Sequence, residues 1–222
     1  MGPCPCLFVP LLQTNAMRRF TDRRTAGREL AIALRRLELP PDPLVLGLPR
    51  GGVPVAAEVA SALHAPLDVM PVRKLGAPAD PELAIGAIAP GDILIRDPDS
   101  GQQMSEQAFR SLVRKEKAEL ARRERTYREG RAPLQLRGRT VILVDDGIAT
   151  GDTMLAAIRA ARAGGATYVL ATAPVASSEA SDRIRHEADR VVVLNLPEPL
   201  FGVGEWYEKF EQLEDSDVTA LL

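Results

Sequence analysis

Cysteine, histidine and aromatic residues are all scarce in this 222-residue chain, which has two cysteines, two histidines and 4% aromatics. Both cysteines, Cys4 and Cys6, stand in the first six residues, so the remainder holds neither a disulfide framework nor a thiolate nucleophile or metal ligand. That usage reads as a protein of a reducing compartment, the cytoplasm. Net charge is also small: 28 Lys+Arg against 30 Asp+Glu give −2, which argues against a domain built mainly to bind nucleic acid or anionic lipid. Any phosphate affinity must then be local. No apolar run approaches the roughly 20 residues of a membrane span. Residues 1–12, MGPCPCLFVPLL, lack a basic leader and are broken by three prolines, so they read as neither signal nor anchor. Cys4 and Cys6 have no further metal ligand nearby, the regular pattern begins near Met17, and residues 1–19 are expected to be a disordered extension. With 45% hydrophobic residues, positions 20–222 suffice for one medium-sized α/β domain.

The periodicity supports that class. Ala26, Leu30, Ala33, Leu34 and Leu37 recur at helical spacing until Pro40-Pro41, predicting a helix over 25–37. Short apolar runs at 44–48, 67–72, 140–144, 167–173 and 190–194 read as buried strands, and helical patterns at 53–63, 152–163 and 178–187 separate them. Strands alternating with helices at this spacing imply a central parallel sheet covered on both faces. Residues 73–82 carry two prolines and a glycine without periodicity and read as a mobile loop, followed by β-like pieces at 84–88 and 93–95. A charged helix is predicted over 104–131, with acids and bases interleaved as on a solvated face.

In such a sheet, ligands collect beyond the carboxyl ends of the strands, which directs attention to the segments after Leu48, Val72 and Val144. The third reads Asp145-Asp146-Gly147-Ile148-Ala149-Thr150-Gly151-Asp152-Thr153. Two carboxylates at a strand tip can accept from a diol or suit Mg²⁺ and its waters. Gly147, Ala149 and Gly151 permit close backbone approach, the opening helix favours an anion, and Thr150 and Thr153 add hydroxyl donors. The combination fits a phosphate monoester beside a diol. Other phosphate and hydrolase signatures are missing: there is no Gly-x-x-x-x-Gly-Lys-Ser/Thr and no Gly-x-Ser-x-Gly. A receiver-type acid pocket fails too, because no Asp follows the 167–173 strand.

The run from Val141 to Met154 resembles the 5-phosphoribosyl-1-pyrophosphate (PRPP) motif of type I phosphoribosyltransferases. Leu46-Gly-Leu-Pro-Arg-Gly-Gly-Val53 is similar to that family's pyrophosphate loop, and Arg73-Lys74 opens what looks like its flexible catalytic loop. More narrowly, the segment around Arg73 to Ala87 and the Gly204-Glu205-Trp206-Tyr207 coda look like a bacterial group of such proteins with no assigned acceptor. The resemblance implies the type I fold, with a C-terminal hood over about residues 197–222. It implies Asp145 and Asp146 on the ribose hydroxyls, directly or through Mg²⁺, and Gly147 and Ala149 to Thr153 around the 5′-phosphate. Arg50, Gly51 and Gly52 would face the pyrophosphate, often through a cis peptide. Lys74 and Arg73 would close over the leaving group, with Glu82 as a candidate base. The reaction implied is Mg²⁺-dependent transfer of the phosphoribosyl group from PRPP to a nitrogenous acceptor, as in nucleotide salvage. A possible homodimer is implied as well, with no nucleic-acid or membrane partner.

Two residues depart from the pattern. Ala149 stands where enzymes for 6-oxopurines usually carry an Asp, which disfavours hypoxanthine and guanine. Asp152 would repel a bound phosphate and is expected to point outward in the first helical turn. For Arg50 the plainer alternative is an ion pair with Glu58, and His64 and His186 read as helix C-terminal partners. Phe201, Trp206, Tyr207 and Phe210 cluster among acids in the coda, where Trp206 or Tyr207 could meet an acceptor. A PRPP sensor without transfer activity and a phosphosugar hydrolase are the alternatives to a transferase.

Overall fold

The computed structural model describes residues 18–78, 80–90, 93–96 and 104–222. The expected N-terminal extension therefore lies outside the described residues, except Arg18 and Arg19. In chain order the elements are α1 (Arg23–Leu34), β1 (Pro43–Gly47), α2 (Gly52–Leu63), β2 (Leu67–Val69), β3 (Arg73–Ala77), β4 (Asp80–Ala89) and β5 (Ile93–Arg96). There follow α3 (Glu106–Tyr127), β6 (Thr140–Val144), α4 (Asp152–Ala163), β7 (Tyr168–Val175), α5 (Ser178–Arg185), β8 (Arg190–Asn195) and α6 (Asp215–Thr219).

Five strands form a parallel sheet in the order β2-β1-β6-β7-β8. The central runs, Leu44–Gly47 of β1 and Val141–Val144 of β6, are apolar because both faces are covered. Leu44, Leu46, Val141, Leu143, Val169 and Ala171 pack beneath Met154, Leu155 and Ile158 of α4. The alternate residues Val45, Ile142, Val144 and Leu170 meet Leu30 and Leu34 of α1 with Val55 and Val59 of α2. Helix α1 begins at Asp22, whose carboxylate accepts from the Thr25 N–H at 2.7 Å, so it starts before the sequence pattern suggested. It stops at Leu34, and residues 35–37 turn away. The 67–72 run is a strand only to Val69. Among the described residues no helix is long and apolar enough to cross a membrane.

The expected mobile loop is instead a β-hairpin. β3, β4 and β5 form a separate antiparallel sheet in which Arg73 lies opposite Ile88 and Lys74 opposite Ala87. The local chemistry misled because Pro78 and Pro81 border the turn, while the pairing partners at 84–88 lie further along the chain. Leu75, Ile85 and Ile88 give the small sheet a core against Phe109, Val113 and Leu120 of α3. The charged helix thus has an apolar stripe with a definite partner. Its other end is anchored by Arg128, which donates to both oxygens of Asp68 on β2 at 3.0 and 2.9 Å.

Because the small sheet has its own core, it should open independently. Phe109→Ala is expected to cost about 3–5 kcal/mol there. Hydrogen exchange should accelerate in β3–β5 and α3 far more than in β6 and β7, and uniform acceleration would show instead that the two sheets unfold as one unit.

Candidate active site at the ends of the parallel strands

Strands β1 and β6 are neighbours, so the loops that follow them meet. The β1 loop turns through a cis Pro49–Arg50 peptide into α2, and a cis bond is what the family resemblance implied there. Gly51 and Gly52 press against the β6 tip. A Cβ on Gly51 would lie 1.9 Å from Asp146 Oδ2, and one on Gly52 would lie 2.4 Å from the Val144 carbonyl oxygen. No side chain other than hydrogen fits either position. The Arg50 side chain turns to Glu214, 3.6 Å away, while Glu58 is met by Arg24 and Arg28 at 3.6 and 3.7 Å, which replaces the Arg50–Glu58 pair considered above.

Asp145 and Asp146 are held rigidly. Asp145 Oδ1 accepts from the Asp146 N–H at 2.9 Å, and the Asp145 N–H donates to the Thr172 carbonyl on β7 at 3.1 Å. Burial, reinforced by the charge of Asp146, pushes the Asp145 carboxyl well above the usual carboxylate range. Asp146 has a cation at hand. Arg23 Nε donates to its Oδ2 at 2.8 Å, with the two side chains only 11% and 14% exposed. The same guanidinium donates to the Glu211 carbonyl at 2.8 Å and lies 3.9 Å from the Phe210 ring centroid.

These contacts give the aromatic coda a place. The backbone of Phe20 pairs with Trp206 and Glu208, so the segment before α1 and the coda run side by side. Tyr207 is buried between Phe20 and Phe210, with ring centroids 5.7 and 5.2 Å away, and its hydroxyl donates to the Asp146 carbonyl at 2.5 Å. Desolvation raises the phenol pKa, so the O–H stays a donor. Its ring faces are therefore occupied by protein, whereas Trp206 is half-buried at the edge of the cluster. Val203 fills the space above Gly147, where a Cβ would come within 2.3 Å of it.

Three carbonyls of the loop from Gly147 to Thr153 are bound by the β7–α5 segment. The Ile148 carbonyl accepts from the Ser177 N–H at 2.9 Å, that of Ala149 from Ser177 Oγ at 2.7 Å, and that of Thr150 from Arg183 Nη1 at 2.7 Å. In a trans peptide the N–H points opposite to the carbonyl. The amides of Ala149, Thr150 and Gly151 consequently face away from the carbonyls' partners on the β7–α5 segment, and Ala149, Thr150 and Thr153 are exposed while Gly151 is buried. Gly151 sits at φ 86°, a left-handed turn that suits glycine, and caps α4 with no side-chain hydrogen bond to the first-turn amides.

Asp152 turns toward α5, on the side of the bound carbonyls, rather than into solvent. Its Oδ1 accepts from Arg183 Nη2 at 2.9 Å and its Oδ2 from the Thr150 hydroxyl at 3.1 Å. A carboxylate inside an anion-suited loop needs a cation beside it, and α5 supplies one. Arg73 on β3 is likewise engaged, its Nε donating to Glu116 of α3 at 2.9 Å, and Lys74 is half-buried next to it. Glu82 lies in β4, and its side chain is outside the described ones. Sequence reasoning missed Arg23, Ser177, Arg183 and the structural place of Tyr207. Only Arg183 had a signal, the unexplained charge of Asp152.

Comparison with known proteins comes to the same place. Residues 26–209 match the family described as the phosphoribosyl transferase domain. Two proteins from Mycobacterium tuberculosis strains, each named as a candidate phosphoribosyl transferase, are 46% identical over 208 residues, 93% of this chain. The chain spans about half the length of these relatives, 47% of each. The crystal structure of TT1426 from Thermus thermophilus superposes with a TM-score of 0.84 at 43% identity, covering 91% of this chain and 97% of that one.

The contact at Gly51 is testable without a ligand. Gly51→Ala should destabilise the protein by about 1–3 kcal/mol in urea unfolding, through the forced displacement of Asp146. In an Asp146→Ala background the same change should cost much less, and equal costs in both backgrounds would place the strain elsewhere.

Proposed function

Because the chain belongs to the phosphoribosyltransferase family, we propose that it moves the 5-phosphoribosyl group of PRPP to a nitrogenous acceptor, a nucleobase or related heterocycle, with release of pyrophosphate. The observation that carries this reading is the pairing of a loop whose Ala149 and Thr150 carbonyls are bound on the α5 side, which turns the amides of the same peptides the other way, with two carboxylates at the same strand tip. A monoester phosphate and a vicinal diol on one sugar match that pairing.

In this reading the amides of residues 149–153 and the Thr153 hydroxyl bind the 5′-phosphate, the Thr150 hydroxyl being held by Asp152. Asp145 and Asp146 accept from the ribose hydroxyls. The same carboxylates are hard oxygen donors, and Asp146 Oδ2 would be free for a cation once Arg23 releases it. They would hold Mg²⁺, which supplies neutralisation of pyrophosphate charge. Arg50 and Gly51 present the turn of the β1 loop to the pyrophosphate. The nitrogen nucleophile attacks C1, the C1–O bond breaks with its electron pair leaving on pyrophosphate, and the acceptor nitrogen loses a proton, for which Glu82 is the candidate base. Lys74, carried on the β3–β4 hairpin, donates to the departing group. Such a donor is typically worth about 2.7–4 kcal/mol. Arg73 supports the hairpin through Glu116 in this conformation and contributes to the leaving-group site if the hairpin shifts. Ala149 leaves out the carboxylate that would read a 6-oxopurine, so adenine-like, pyrimidine or other heterocycles are the first acceptors to try.

Thermal unfolding with Mg²⁺ and PRPP tests the binding half. At about one hundred times Kd the ligand should add about 2.7 kcal/mol of stability, an effect absent for Asp145→Asn/Asp146→Asn. No shift at saturating PRPP contradicts the reading. Pyrophosphate release on adding an acceptor tests the transfer half, and Lys74→Ala should lower kcat far more than it raises the KM for PRPP. Binding without release under any acceptor would identify a sensor rather than a transferase.

A further inference from the structure

Arg183 lies on α5, outside every segment of the family motif, yet it touches the phosphate loop twice. Its Nη1 donates to the Thr150 carbonyl at 2.7 Å and its Nη2 to Asp152 Oδ1 at 2.9 Å. We propose that Arg183 is a positioning residue for phosphate binding: it turns the Thr150–Gly151 peptide so that its amide faces the ligand, and it neutralises Asp152. This inference rests on the proposed 5′-phosphate site.

The two contacts solve separate problems. The Thr150 carbonyl follows a stretch of small residues and precedes Gly151 at φ 86°, a junction where the peptide plane could flip. A flipped plane would aim a carbonyl oxygen, rather than an N–H, at a phosphate. Ser177 holds the preceding Ala149 carbonyl in the same way, so two successive planes are pinned from one side. The second problem is charge. Asp152 is only 17% exposed and belongs to the first turn of α4, where its negative charge would oppose the anion that the helix end attracts. Its Oδ2 also accepts the Thr150 hydroxyl hydrogen at 3.1 Å, a donor that the phosphate would otherwise use. Pairing with Arg183 draws Asp152 toward α5 and offsets its field at the loop. By contrast Arg185, two residues further along α5, pairs with Asp182 of its own helix, which makes it a matched control.

The test is a charge-rescue cycle read by calorimetric binding of PRPP with Mg²⁺ and, separately, of ribose 5-phosphate, which carries the 5′-phosphate without the pyrophosphate. Arg183→Ala should weaken both ligands by about tenfold or more. Adding Asp152→Asn to that variant should restore the part of the loss due to the uncompensated charge and leave the part due to the unpinned Thr150–Gly151 peptide. Arg185→Ala should bind as wild type. In steady-state turnover the effect of Arg183→Ala should appear in the KM for PRPP, with kcat little changed. A purely structural role for Arg183 would lower the unfolding midpoint and would not be rescued by removing the charge at residue 152. Wild-type affinity in Arg183→Ala, or no recovery in the double variant, overturns the inference while the proposed function stands. Failure of the wild type itself to bind either ligand overturns the proposed function and removes the basis of the inference.

Discussion

Two carboxylates on consecutive residues at the end of a buried strand repel each other, and the rest of this molecule is arranged around keeping them there. Asp145 meets the difficulty by burial, which favours its neutral form, and by a bond from the next amide, which fixes its orientation. Asp146 meets it with Arg23, a residue 123 positions away in sequence. The strain-free packing of Asp146 requires glycine at position 51 on the neighbouring loop, so the parallel pairing of β1 with β6 and the acid pair depend on each other. Arg23 in turn is braced by Phe210 and the Glu211 carbonyl, and Tyr207 grips the Asp146 backbone. The segment before α1 and the coda thereby meet over the strand ends.

A second constraint acts on the loop that follows. An anion cradle made of backbone amides works only if the carbonyls on the same peptides are satisfied elsewhere. Here β7 and α5 provide that elsewhere, through Ser177 and Arg183. The parallel sheet contributes position, the helix end contributes direction, and the β7–α5 segment contributes the orientation of each peptide. The small antiparallel sheet has a different role. It carries Arg73 and Lys74 on a hairpin with its own core against α3, joined to the large sheet largely through α4.

Much of this was legible in the sequence. The unbroken apolar runs at 44–48 and 140–144 marked strands covered on both faces, and the acids after Val144 followed by a small-residue loop marked the candidate site. Of the hairpin at 73–89, the arm at 84–88 was legible as a β-like run, but the arm at 73–77 was not, because its prolines signal a turn while its stability comes from Phe109 and Val113 on a helix well further along the chain. Arg23 was invisible for the same reason, its partner being fixed only by the folded sheet. Asp152 was noticed as a misplaced charge, but the cation that answers it stands on another helix, beyond the reach of local spacing. Local chemistry pointed to the candidate site residues, and the contacts that support them emerged only in three dimensions.

The structure of the protein bound to PRPP and Mg²⁺ would examine the proposed site most directly. The 5′-phosphate should sit on the amides of residues 149–153 and the ribose diol on Asp145 and Asp146, with Asp146 Oδ2 released by Arg23. A complex in which the phosphate lies away from that loop, or in which the diol touches neither carboxylate, would contradict the assignment of these strand ends as a phosphoribosyl site.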